Sequence, residues 1–217
     1  MSVMPEGEPM SASAPIQPLR GSLAVLPLIH PLDDFYAQAG LALPLVEIAL
    51  PETLPEAERK LLVHEGDMTS ALMQFYGSGL HLEVLRCETR GESYLREVVL
   101  HLNDSNEAVE FGAIKIQLDL LPSCARRAIL EGRVPLGQIL KDFKVSYTSR
   151  PKAFLKVVPD AFIRKALRML GSPVVWGRRN TLSLPDRGPF AEIVEILPPV
   201  APQGSGTRPS SETPRMS

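Results

Sequence analysis

The sequence predicts an α+β fold: a mainly antiparallel sheet with flanking helices. Two observations carry this. Strand-like runs follow one another across connectors of only a few residues, which antiparallel hairpins allow and parallel crossovers do not. Segments with helix start and stop signals are interleaved with those runs, so helices gather around the sheet.

Along the chain, Asp33 is placed to cap a short helix over 34–39 that Gly40 ends. Residues 55–62 read as a helix with an early Pro and an acidic first turn. Asp67 is a good N-cap for a helix over 68–76, and Gly77 suits its left-handed end. Strand patterns occupy 80–88, 93–102 and 108–118, joined by Thr89-Arg90-Gly91-Glu92 and by Asn103-Asp104-Ser105-Asn106. A helix over 123–130 stops at Gly132, and Pro135 starts another that runs to about Phe143. Strand patterns return at 145–149 and 153–158. A helix over 160–170 carries Arg164, Lys165 and Arg168 toward its C-terminal half, where they complement the dipole. The last strands are 174–184 and 190–197, turning near Pro185-Asp186-Arg187-Gly188.

At 217 residues the chain suits one domain with tails. Residues 1–20 and 200–217 are rich in Ser, Pro and other polar residues and are expected to be disordered, leaving 21–199 as the folded unit. A net charge of -2 with scattered basic residues points away from nucleic acid. Every apolar stretch is interrupted before membrane-spanning length, and 1–18 lacks an apolar signal core, so the cytoplasm is the expected location. Cys87 and Cys124 show no motif spacing and are expected to be buried free thiols.

Two charged residues sit inside apolar strand patterns. Alternation puts Arg96 on one face with Tyr94, Val98, Leu100 and Leu102, and Glu195 on one face with Ala191, Ile193 and Leu197. A charge on a core face is costly unless paired. Each of these either pairs with another protein group or lines an internal pocket for a charged ligand. Trp176-Gly177-Arg178-Arg179 is the densest charged feature within the fold. It reads as a solvated strand edge or as a pocket wall whose guanidinium groups bind a carboxylate. Phosphate-binding glycine loops, nucleophile elbows and metal-ligand spacings around the four histidines are absent.

Five landmarks stand in order over roughly 55–199: Gly66-Asp67-Met68-Thr69, Tyr94-Leu95-Arg96-Glu97, Pro135-Leu136-Gly137, Trp176-Gly177-Arg178-Arg179 and Glu195-Ile196-Leu197-Pro198. On these the chain resembles the chorismate pyruvate-lyase family, which includes bacterial 4-hydroxybenzoate synthases, as a divergent subgroup of it. The resemblance implies an antiparallel sheet and helices enclosing an internal ligand pocket. It implies an enzyme, a carbon–oxygen lyase that takes pyruvate from chorismate and leaves 4-hydroxybenzoate. The setting would be ubiquinone or aromatic secondary-metabolite biosynthesis, with no metal or cofactor. It assigns Arg96 to a carboxylate of the substrate and Glu195 to catalysis, with backbone amides of Met68 and Leu136 holding the ligand. Better-known members carry Gly-Arg where this chain has Gly112-Ala113; that basic group is either missing here or replaced by Arg178, Arg179 or Lys115, and Arg178 and Arg179 join the expected substrate-binding residues.

Chorismate has two carboxylates and an enolpyruvyl ether. In the implied mechanism Arg96 grips the ring carboxylate, and a protonated Glu195 acts as general acid toward the leaving oxygen. The competing expectation is a non-catalytic module that binds an aromatic or chorismate-derived carboxylate. The same fold serves as the effector-binding domain of some bacterial transcription regulators. Residues before 55 carry no DNA-binding pattern, which favours the enzyme among these expectations.

Overall fold

The computed structural model describes residues 28–171 and 174–200. The expected tails therefore lie outside the described residues, apart from Val200. Among the described residues there are six α-helices: α1 (Leu32–Gln38), α2 (Glu56–Leu62), α3 (Met68–Tyr76), α4 (Ser123–Glu131), α5 (Leu136–Asp142) and α6 (Ala161–Ala166). Seven strands join them: β1 (Leu45–Ala49), β2 (Leu80–Arg90), β3 (Ser93–Leu102), β4 (Ala108–Gln117), β5 (Thr148–Val158), β6 (Val175–Leu184) and β7 (Gly188–Leu197).

The strands form one sheet in the order β1-β5-β6-β7-β4-β3-β2, antiparallel throughout. Two meanders, β2-β3-β4 and β5-β6-β7, meet where β4 pairs with β7. The fold class is thus the predicted α+β arrangement.

Side-chain alternation gives the sheet two buried faces. On one, Phe35 and Tyr36 of α1 and Ile163 of α6 pack on Leu95, Val99, Phe111, Val194 and Ile196. This face holds a half-buried ion pair: Arg86 donates from Nε to Glu97, and from Nη1 to the Phe35 carbonyl at 3.0 Å. The Phe35 and Phe162 rings flank its guanidinium carbon at 5.4 and 5.2 Å. The second face is covered by α2 to α5. Leu61, Leu62 and Leu72 pack there on Leu100, Leu102 and Leu197. Ala125, Ile129 and Leu140 pack on Tyr94, Ile116 and Ile193.

Several element expectations need correction. The sequence pattern left 41–54 unassigned, yet Leu45–Ala49 is an edge strand paired with β5. The expected strands 145–149 and 153–158 are one strand, Thr148–Val158, with an irregularity at Pro151/Ala153. Pro151 is tolerated because β1 pairs only with 154–158 and leaves that side of β5 open. The first helix begins at Leu32, and the Asp33 carboxylate accepts from His30 instead of capping it. The helix expected over 160–170 ends at Ala166, and Arg168 takes a positive φ of 51°. Both cysteines are free but exposed, not buried. No helix among the described residues is long and apolar enough to cross a membrane.

Candidate ligand-binding site

Between the second sheet face and the N-terminal ends of α3 and α5 lies a cavity of about 60 Å³. At roughly 10–15 Å³ for one water-sized group, that volume has the scale of a small organic molecule.

The ends of both helices are fixed locally. Asp67 accepts a hydrogen bond from the Ser70 amide at 2.7 Å and caps α3. Pro135 precedes the first residue of α5. Gly137 lets the two helix ends approach: a Cβ there would lie 2.5 Å from Asp67 Oδ1 and 2.9 Å from Thr69 Oγ1. Met68 and Leu136, each the first residue of its helix, line the cavity. First-turn amides have no acceptor within their own helix.

The sheet supplies the floor. Arg96 stands opposite Ile114, and Ile114 opposite Ile193, so the guanidinium lies among aliphatic side chains. Arg96 is 1% exposed. Its Nε and Nη1 have no hydrogen-bond partner. Burial pulls its pKa below the usual arginine value, against smaller contributions from Tyr94 and Cys87. Arginine stays protonated at neutral pH even so, which leaves an uncompensated cation in the cavity wall.

Glu195 also lines the cavity and is 4% exposed. One rung of the sheet runs Gly112–Glu195–Arg178, and Arg178 donates to the Glu195 carboxylate from Nε. Arg178 is fully buried and lies on an interior strand, not on the sheet edge that its sequence context allowed. Its other nitrogens donate to the carbonyls of Leu62 at 3.1 Å, His64 at 3.1 Å and Gly66 at 3.3 Å. It thereby ties β6 to the segment between α2 and α3. His64 accepts from the Gly66 amide at 3.0 Å, and its Nε2 meets the Leu61 carbonyl at 2.7 Å. Burial, then Arg178, lowers the His64 pKa, so the ring there is neutral.

Arg96, Glu195, Met68 and Leu136 thus meet at one cavity, whereas Arg178 and Arg179 do not line it. Arg178 stands behind Glu195. Arg179 points to the opposite face, where Glu192 accepts from it at 3.3 Å and from Thr181 at 3.0 Å.

One cavity residue escaped the sequence reading. Glu110 on β4 lines the cavity, is 5% exposed, and has no partner for Oε2. Burial, then the Glu195 carboxylate, pushes its pKa well above the carboxylate range; Arg178 opposes the shift and Asp67 adds to it. The alternation that singled out Arg96 applies to Glu110 as well. It escaped notice because its same-face neighbours, Ala108 and Gly112, are too small to mark a core face.

No family model matches this chain, and neither does any curated protein. Solved structures do. PhnF from Mycobacterium smegmatis matches with a TM-score of 0.49 and 12% identity over 63% of this chain and 65% of that one. The ligand-binding domain of a transcriptional regulator ascribed to the GntR family, from Bordetella bronchiseptica, matches with a TM-score of 0.42 and 13% identity. That match covers 54% of this chain and 83% of the other. A GntR-family transcriptional regulator from Enterococcus faecalis matches with a TM-score of 0.40 and 9% identity, over 54% and 91%. The chain spans less than two thirds of the PhnF structure that it matches. At these identities the likeness is one of fold.

The expected enzyme is corrected here. The structures that this chain resembles in fold are regulators of the GntR family, and the assignment as a carbon–oxygen lyase acting on chorismate is withdrawn. The associated terms fall with it: 4-hydroxybenzoate, pyruvate and a place in ubiquinone or aromatic-metabolite synthesis. The site supplies a physical reason. The implied general acid, Glu195, is engaged in an ion pair with Arg178. Chorismate would bring two carboxylates to a wall with one unpaired cation, and Ala113 leaves no second arginine beside it.

Proposed function

We propose that this chain is a ligand-binding module that holds a small carboxylate with an apolar, ring-like body and performs no chemistry on it. The observation that carries this is Arg96. A guanidinium left with two unpartnered nitrogens in an apolar wall is destabilising as it stands. A carboxylate in the cavity would satisfy it with charge-assisted hydrogen bonds. Leu82, Val98, Leu100 and Leu182 supply an apolar lining for the rest of the molecule. In this reading the first-turn amides at Met68 and Leu136 hold the same carboxylate as Arg96. The Arg178–Glu195 pair serves as rigid wall, and Arg179 takes no part.

A regulatory use of such binding, in the cytoplasm, belongs to the same proposal. Titration with benzoate, followed by calorimetry, is the test. Wild type is expected to bind it, and Arg96→Met is expected to lose at least tenfold in affinity. Equal affinity in the two proteins would remove Arg96 from the site.

A further inference from the structure

The cavity has a second polar feature besides Arg96, and its placement bears on which carboxylates fit. Glu110 stands opposite Leu100 across the β3–β4 ladder, two residues along β4 from the rung that carries Glu195. Its carboxyl leans over Gly112: a Cβ on that glycine would lie 3.2 Å from Glu110 Oε1. The group therefore packs over the position that a Cβ would take at Gly112, and it lines the cavity. Its Oε2 is buried without a partner.

The charges around the cavity are few. Arg178 and Glu195 cancel each other. Asp67 caps α3 and lines the cavity beside that helix. Arg96 is left as the unpaired cation among the ionisable groups of the lining. Facing it from β4 and β7 are two carboxyl groups, Glu110 and Glu195.

We propose that Glu110 sets the charge selectivity of this pocket, admitting a monocarboxylate whose far end carries an uncharged hydrogen-bonding group and rejecting dicarboxylates. This rests on the reading of Arg96 as the carboxylate anchor. One carboxylate neutralises Arg96. A second would lie against Glu110 and Glu195 in a water-poor cavity, where like charges repel strongly. A hydroxyl or amide group in that place hydrogen-bonds the Glu110 carboxyl and satisfies its orphaned oxygen. Pockets that hydrogen-bond a polar group discriminate sharply, because the wrong ligand leaves buried polar atoms unpaired.

The test uses two ligands of nearly the same outline, 4-carbamoylbenzoate and terephthalate, which differ by one negative charge. Affinities are measured by calorimetry at pH 7 for wild type, Glu110→Gln and Arg96→Met. Wild type is expected to bind the carbamoyl acid at least tenfold more tightly than terephthalate. In Glu110→Gln the side-chain amide donates to the second carboxylate, and the ratio is expected to fall to about threefold or less. Comparable wild-type affinities for the two ligands would overturn Glu110 selectivity while leaving the carboxylate site intact. So would an unchanged ratio in Glu110→Gln, checked for an intact fold by its melting curve. Wild type binding neither ligand would instead take down the carboxylate reading, and this inference with it.

Discussion

Arg96 and Glu195 are both buried charges on one sheet face, yet they stand in different energetic positions. Arg96 lacks partners at two nitrogens, so replacing it with Met removes an uncompensated charge and keeps similar volume. Arg96→Met is expected to raise the melting temperature while it loses ligand, the stability–function trade found where a site holds strain. A lower melting temperature would mean that Arg96 is paired in solution. Glu195→Gln is expected to behave oppositely. It strands Arg178 beside its carbonyl acceptors without a counter-charge, and about 3 kcal/mol of stability should be lost, read by urea unfolding.

Glu110 adds a pH dependence. Its pKa is raised in the folded state, so the folded protein holds a proton that the unfolded chain releases above about pH 4.3. Stability from this group is full below that value and falls as pH rises toward the folded pKa. Glu110→Gln should flatten that decline, seen as a smaller drop in melting temperature between pH 5 and pH 8 than in wild type.

How far these residues were legible differs for physical reasons. A large charged residue among Val, Leu and Ile violates alternation visibly, and this exposed Arg96 and Glu195. Glu110 has Ala108 and Gly112 as its same-face neighbours, so no violation shows. The partner of Glu195 was out of reach because it depends on strand order: Arg178 is an edge or an interior residue only once β6 is known to lie between β5 and β7.

At the scale of elements, two glycines set how closely the pocket parts approach. At Gly177, beside Arg178, a Cβ would lie 2.4 Å from the Glu195 carbonyl oxygen, a backbone atom with little room to move. At Gly137 it would meet the Asp67 carboxylate that caps α3. Gly177→Ala is expected to destabilise by roughly 1–3 kcal/mol, measured by urea unfolding. Gly137→Ala is expected to push α5 from α3 and weaken benzoate binding more than it lowers the melting temperature. Helix starts and hairpins were readable because Asp67, Pro135, Gly77 and Gly132 act locally, within a turn. Strand β1 was not. It has five residues, Leu45 is 73% exposed and Ile48 65% exposed, and its pattern answers to β5, more than a hundred residues away.

For the whole molecule, the boundaries 21–199 remain a proposal argued from composition. Val200 marks the C-terminal side: its amide donates to Glu58 Oε1 at 3.2 Å, one residue past that limit. A fragment of residues 21–200 is expected to keep the melting temperature and benzoate affinity of the full chain. A fall of several degrees would show that residues beyond those limits pack on the domain.

The seam between the meanders has a consequence for the order of folding. The β2-β3-β4 and β5-β6-β7 ladders are largely local in sequence, while β4–β7 and β1–β5 pairing must close long loops. The cavity floor lies across that seam, with Arg96 and Glu110 on one meander and Glu195 on the other. Neither half alone contains a complete binding surface. During synthesis the pocket comes into being only after β7, the last strand among the described residues, has left the ribosome and docked. A ligand therefore cannot hasten the early steps. It acts by holding the finished seam closed, and its mark on the kinetics is slower unfolding with an unchanged folding rate.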